Sequence, residues 1–389
     1  MRILFLTDYD PLNPSLRSGV PFYLYKALRH EYPACNYLHV MDQRGIFLRL
    51  FSRLVQFYFK NILLNKNGFY DSALSIATAR SYGRQYKRIN WKEVDVVFAI
   101  SSRLLAYLPE GPAAVLWIDN SFMTFLSYPG MKGISQYSKR EGLRVESLAF
   151  ARANSIRAAS GWLQAELKKQ YPGFIRKILV MPRGANLSVW PSRSEVEEAI
   201  AARMEDSHLQ LLFVNSGNWY VGRKGGLMVL ETWRLLREVF QTKLTIIGSL
   251  PEEVKAALEN EGVNCVGKLN LATDLGRNTY ARMLSKAHFL FVPSLVDGFG
   301  IVYAEAAAYG LPSIARGIMG VTQAVQEGVT GYLLPSHAVA GDYAGLIGKV
   351  WLNRHLYNNL CRSAYQYASE NYRWGKNAVA ILEEMENIK

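Results

Sequence analysis

The segment Ser294-Leu295-Val296-Asp297-Gly298-Phe299-Gly300-Ile301-Val302-Tyr303-Ala304-Glu305-Ala306 shows the architecture of this chain most plainly. It leaves the apolar run Phe289–Val292, turns through two glycines and enters an alanine-rich segment with helical character. A strand that passes through a glycine turn into a helix is the elementary step of an α/β sheet. Gly298 and Gly300 let the backbone approach a ligand closely, and the first amides of the new helix point at it with positive dipole. That arrangement suits an anionic or hydroxyl-rich ligand. Two acids, Asp297 and Glu305, lie eight residues apart. Glu305 either accepts two hydrogen bonds from a sugar diol or sits on a solvated helix face.

The same step recurs on both sides of this stretch. Strands are predicted at 211–215, 243–247 and 264–266, with helices at 226–240 and 279–287, and residues 343–389 read as helical. Toward the N-terminus, strands at 2–7, 36–40, 94–100, 113–118, 154–158 and 177–181 alternate with helical stretches. This βαβα order implies parallel sheets covered on both faces. Pro182-Arg183-Gly184-Ala185-Asn186 and Trp190-Pro191-Ser192 break the alternation near mid-chain and read as an interdomain linker. We therefore expect two doubly wound, Rossmann-like domains facing across a cleft, at 1–185 and 186–370. A terminal helix at 371–389 is expected to pack back on the first domain.

The chain has 389 residues, half of them hydrophobic, which excludes disorder and supplies two cores. Its apolar runs are strand-length, so no spanning helix is expected. Asp8 cuts short the apolar start, so no signal peptide is read there. Cys35, Cys265 and Cys361 fit neither a disulfide framework nor a zinc site, which points to a soluble protein of a reducing, cytoplasmic compartment. The net charge is +13, and residues 40–92 hold ten Lys/Arg against two acids, Asp42 and Asp71. Nucleic acid, an anionic membrane or a phosphorylated substrate would each suit such a patch. Within it, 43–60 reads as a helix with Arg49, Arg53 and Lys60 near one face and Phe and Leu around the rest. Its apolar surround favours burial on the sheet over docking at a membrane interface.

A second informative stretch, Asn215 to Gly226, also joins a strand to a helix. Arg223 and Lys224, flanked by glycines at the helix start, form a ready phosphate clamp. The Walker spacing is absent, which removes a simple kinase or ATPase. Asp8-Tyr9-Asp10 has the form of a metal-binding triplet but reads as a loop. The histidines show no metal spacing, and no hydrolase elbow is present.

Taken together, the two stretches resemble the C-terminal domain of family 4 retaining glycosyltransferases, which have the GT-B fold. The family's E-x7-E motif, followed by a small-residue helix and G-L-P, corresponds here to Asp297-Gly298-Phe299-Gly300, Glu305 and Gly310-Leu311-Pro312. Its Lys-Gly clamp corresponds to Lys224-Gly225. Further matching pieces are Gly248, the Gly328 to Gly331-Tyr332-Leu333 turn, and Pro182, Gly184 and Asn186 in the linker. The resemblance implies a metal-independent hexosyl- or N-acetylhexosaminyl-transferase using a UDP- or GDP-sugar and no cofactor. Glu305 would hold the ribose, Asp297 and the backbone of Gly298, Phe299, Gly300 and Ile301 the hexose and diphosphate, and Arg223 and Lys224 the leaving diphosphate. The first motif acid is Asp rather than Glu, and Asn218 stands where many members carry Arg, so Arg223 must supply the second positive charge. In the N-terminal half, Gly19 of Arg17-Ser18-Gly19-Val20 matches the family's glycine-rich first loop. Asp119 stands where many members have His and either contacts the transferred sugar or caps the next helix. The acceptor is a glycan, a lipid-linked molecule or a protein. Contact with an anionic membrane through residues 44–60, at the inner membrane face, is compatible with this, and no nucleic-acid partner is expected. A sugar-nucleotide 2-epimerase and a non-catalytic sugar-nucleotide-binding subunit are the alternatives on the same fold.

Overall fold

The computed structural model describes residues 1–41, 50, 53–55, 57–58, 69–215 and 223–386. The chain divides into two units. One comprises Met1–Met181 together with Gly375–Lys389, and the other Pro182–Trp374.

Among the described residues, each unit is built on one six-stranded sheet, and the paired strands are parallel throughout. In the first, β1 (Ile3–Thr7), β2 (Asn36–His39), β3 (Val96–Ala99), β4 (Ala113–Ile118), β5 (Ser155–Ala158) and β6 (Ile178–Val180) lie in the order β2-β1-β3-β4-β5-β6. In the second, β7 (Leu209–Val214), β8 (Thr242–Ile247), β9 (Asn264–Gly267), β10 (Phe289–Val292), β11 (Ser313–Arg316) and β12 (Gly331–Leu334) lie in the order β12-β11-β10-β7-β8-β9. Every residue of β1, β3, β5, β10 and β11 is buried. Burial on both faces is why most of these strands read as continuous apolar runs instead of alternating ones.

Two expectations are corrected. The Gly331-Tyr332-Leu333 turn is an edge strand, held by β11 in the register Ser313↔Gly331 to Arg316↔Leu334. The helix expected at 279–287 spans Asp274–Lys286, because the Thr273 hydroxyl accepts from the Gly276 amide and starts it a turn earlier. A further helix, Arg193–Glu205, follows the linker directly and is opened by a capping box in which Ser192 and Glu195 satisfy each other's amides.

Of the basic stretch 43–60, the cations Arg44, Arg49 and Lys60 lie outside the described residues. Leu50, Leu54 and Phe57 are 48%, 65% and 57% exposed, so these side chains do not pack on the sheet as expected. Among the described residues, no helix is long and apolar enough to cross a membrane.

Candidate functional site

In the second sheet, the chain runs outward from β7 through β8 to β9, then returns to place β10 on the other side of β7. The connections leaving β7 and β10 therefore diverge, and a crevice opens at the carboxyl ends of these two neighbours. Both stretches singled out in the sequence leave these ends. Arg223–Gly226 follows β7, and the Asp297–Ile301 turn follows β10.

The two loops are joined to each other. The Leu295 amide donates to the Arg223 carbonyl at 2.6 Å, and Lys224 Nζ donates to Asp297 Oδ2 at 2.5 Å. Both side chains of this ion pair are 10% exposed. Burial pushes the Asp297 carboxyl up, but the charges of Lys224 and Arg223, with the Lys224 bond and the Phe299 amide, hold it below its ordinary value. Gly225 and Gly300 each end a loop and cap a helix, Gly226–Arg237 and Ile301–Ala308, with φ of 78° and 80°. A side chain at either position would be strained by this φ and would also collide. Its Cβ would lie 2.3 Å from the Pro293 carbonyl or 2.3 Å from the Tyr303 ring. Two helix N-termini thus open beside a buried ion pair.

Not every expected contact is available to a ligand. The Phe299 side chain is buried against Tyr372, and its amide is already directed at Asp297 Oδ1, 3.3 Å away. Asn218 lies outside the described residues. Glu305 is 5% exposed, which removes the reading of a solvated helix face. The Tyr280 hydroxyl donates to its Oε2 at 2.6 Å, and the Asn186 amide donates to the same carboxylate. Burial raises Glu305 to about 7, against the pull of these bonds and of the Lys224 and Arg183 charges. The stretch read as a linker therefore helps build the site. Asn186 Oδ1 also accepts from the Trp374 indole, and the Ala185 amide donates to the Tyr372 carbonyl. Tyr280 escapes sequence reasoning because its helix reads as polar, and its one signal is a large side chain on the buried face.

Residues 210–352, which contain Lys224, Asp297 and Glu305, match the family model described as glycosyl transferases group 1. This segment is a group 1 glycosyltransferase domain. The D-inositol 3-phosphate glycosyltransferase of Paenarthrobacter aurescens is 25% identical over 221 residues, which are 56% of this chain and 53% of that protein. The chain spans about half the length of the curated relatives it matches. Among solved structures, Anabaena Alr3699/HepE in complex with UDP is similar with a TM-score of 0.66 at 16% identity, over 100% of both chains. Sucrose-phosphate synthase from Thermosynechococcus elongatus gives 0.69 at 15% identity, over 100% of this chain and 99% of that one. The fold is GT-B.

The glycosyltransferase domain also has a cavity of about 230 Å³ beyond the ends of β8 and β9, lined by Gly248, Ser249, Lys255, Cys265 and Lys268 among others. Gly248 packs on the carbonyl of Asn215, the residue that follows β7, so the cavity adjoins the end of that strand.

The first unit has a switch point of its own, between β1 and β3. Gly19 caps the helix Val20–Glu31 there, following Arg17 and Ser18, and all three residues are left-handed with φ of 46°, 53° and 77°. Two non-glycine residues in that region cost about 1–3 kcal/mol each. Asp119 follows β4, 3.6 Å from Arg17, and does not cap the next helix. Ser121 does that, its hydroxyl accepting from the Thr124 amide at 3.0 Å. Among the described residues, no three His, Cys, Asp or Glu side chains come together as a metal site. Asp8 pairs with Arg103, and Asp10 accepts from the Leu12 amide.

The loop carrying Asp119 is held from behind by Glu146. This buried carboxylate accepts from the Phe122 amide at 2.8 and 3.0 Å and from the Tyr171 hydroxyl at 2.5 Å. Burial raises it to about 7. Since its folded value exceeds its unfolded one, the stability it contributes is full below about pH 4.5 and is lost as pH rises through about 7. Glu305 acts with the same sign. The melting temperature should therefore fall from about pH 5 to 8, and fall less in Glu146→Gln. A variant curve parallel to wild type would show that Glu146 does not titrate in this window.

Proposed function

We propose that the chain is a retaining glycosyltransferase that moves a hexose-type sugar from a UDP- or GDP-sugar to an acceptor hydroxyl without a metal ion. The observation that carries this reading is the buried Lys224–Asp297 pair between two helix N-termini at the switch point of the second sheet. An ammonium has three N–H donors, so Lys224 can hold Asp297 and donate to a phosphate oxygen at once. Arg223 adds the second charge, and the first amides of Gly226–Arg237 and Ile301–Ala308 add their dipoles. Negative charge grows on the departing diphosphate, which is where stabilisation lowers the barrier most. Glu305 takes the ribose hydroxyls, and the cavity beside Gly248 and Lys268 receives the base. Anabaena Alr3699/HepE, solved in complex with UDP, supports a nucleotide donor on this fold. In the step itself, the acceptor oxygen bonds to the anomeric carbon on the face from which the diphosphate oxygen leaves. The acceptor's proton passes to that phosphate oxygen, so no side-chain nucleophile is required.

The test is nucleotide release from UDP-glucose, UDP-N-acetylglucosamine and GDP-mannose, with and without candidate acceptor hydroxyls, in EDTA. Acceptor-stimulated release of UDP or GDP in EDTA is the expected result. Activity that disappears in EDTA and returns with Mn²⁺ would overturn the metal-free part. Release of nucleotide with an epimerised sugar, acceptor or not, would point to a 2-epimerase instead.

The proposal extends to the cytoplasmic side of a membrane, with residues 44–60 in peripheral contact. Exposed Leu50, Leu54 and Phe57 beside a basic sequence support it. Co-sedimentation with vesicles should require anionic lipid, weaken with salt and weaken in Arg49/Arg53/Lys60→Glu. Protein left in the supernatant at low salt would remove this contact.

A further inference from the structure

A further cation is buried in the glycosyltransferase domain, outside the two clamp loops. Arg316 ends β11, the strand beyond β10, and is 9% exposed. The backbone around it is fixed: the Gly317 amide donates to the Leu334 carbonyl at 2.8 Å, and the Ile318 amide turns back to the Arg316 carbonyl at 2.9 Å. Its Nη1 donates to the Ser336 carbonyl at 2.5 Å, in the loop that follows β12. Among the described residues, no carboxylate lies within ion-pair distance of this guanidinium. Arg203 is buried likewise, but it spends its fork on the carbonyls of Ala287, Tyr309 and Gly310. Arg316 meets one carbonyl, which leaves the Nε–Nη2 edge, and its Nε has no hydrogen-bond partner. The Tyr343 hydroxyl, from the helix Ala340–Leu352, stands beside the guanidinium. It is fully buried and likewise makes no hydrogen bond of ordinary geometry. Asp342, the acid next to it in the chain, is exposed and accepts from the Val339 amide at 2.9 Å. Ser336 and His337 are exposed, so the loop that meets Arg316 lies at the surface.

We propose that Arg316 and Tyr343 form an anion site of their own at the carboxyl ends of β11 and β12, and that it takes the phosphate group of a small molecule. The remaining edge of the guanidinium offers parallel N–H donors that match two oxygens of one phosphate. The phenol beside it donates to a third. A phosphate presents its oxygens as a tetrahedron and so meets both the planar fork and the hydroxyl, whereas a carboxylate offers two oxygens in one plane. The charge balance agrees, since an anion here neutralises a buried cation for which the chain supplies no acid. The site lies wholly within the second unit and does not depend on reading Lys224 and Asp297 as a diphosphate clamp.

Calorimetric titration of the full chain with inorganic phosphate and with glycerol phosphate tests this. Potassium chloride of equal ionic strength is the blank, because a chain of net charge +13 attracts any anion weakly. The titration is repeated in Lys224→Met/Asp297→Asn, which keeps the clamp out of the readout. Saturable binding of phosphate should persist in that protein and should weaken about tenfold or more when Arg316→Met is added. Arg316→Lys, which keeps the charge without the fork, should fall between, and Tyr343→Phe should lose a smaller share. These two carry the test if Arg316→Met does not fold. Phosphate should also raise the melting temperature of the wild-type chain and not that of Arg316→Met. The tighter of the two probes tells whether the ligand is a phosphate ester or the free ion. No saturable binding above the chloride blank overturns the inference. Binding lost in Lys224→Met/Asp297→Asn belongs to the clamp, and binding unchanged in Arg316→Met lies elsewhere, and either result overturns it. Acetate bound as tightly as phosphate would overturn the choice of ligand.

Discussion

Lys224→Ala should lower turnover by about 10²–10³, the size of effect seen when one electrostatic contact to a developing anion is removed. It should also destabilise the protein by about 3–5 kcal/mol, because Asp297 would be left charged and buried without its partner. Pairing the change with Asp297→Asn separates the two effects. Lys224→Met/Asp297→Asn removes both charges and should recover most of the stability while leaving turnover low. Arg223→Ala, at a less buried position, should lower turnover with little change in melting temperature. Thermal denaturation beside nucleotide release reads all four proteins. Wild-type turnover in Lys224→Ala and Arg223→Ala would remove the clamp.

The second large effect belongs to Glu305. Glu305→Gln keeps the shape and the Tyr280 contact but replaces a charged acceptor by an amide. A hydrogen bond to a charged group is worth about 1.5–3 kcal/mol, so nucleotide diphosphate affinity should fall about tenfold or more. The loss should depend on pH. Burial holds Glu305 near 7 in the free protein, and hydrogen bonds from a ribose favour its charged form. Binding below that value must release a proton, so wild-type affinity should weaken from about pH 8 to 6, and Glu305→Gln should weaken less. Equal affinities across that range in both proteins would mean that the ribose is held elsewhere.

Much of this architecture is legible because parallel strands buried on both faces leave unbroken apolar runs. Ala113–Ile118 and Phe289–Val292 can be read to the residue for that reason. Ser313–Arg316 cannot, since it opens with serine and carries a charge that ends at the Ser336 carbonyl. Gly331–Leu334 begins with the residue that elsewhere marks a turn. Spacing and residue type point to Asp297, Glu305, Arg223 and Lys224 as candidates, but neither reveals who is paired with whom. Lys224 reads as a free clamp, and the structure joins it to Asp297. Arg17 reads as the flank of a glycine loop. Its contact with Asp119 depends on a left-handed backbone that no local pattern announces.

The division of the chain has a consequence for its biogenesis. The second unit is continuous from Pro182 to Trp374 and can collapse as soon as it has been synthesised. The first is interrupted: its final helix begins at the very end, with Gly375 set against Glu31 at the close of the helix Val20–Glu31. Loop-closure entropy grows only with the logarithm of length, so an insertion of that size is thermodynamically tolerable. The order of events is what changes. A nascent chain holding Met1–Met181 lacks a segment of its own unit, which joins it beside Glu31 only after the whole of the second unit has been made. The unit begun first is the one completed last.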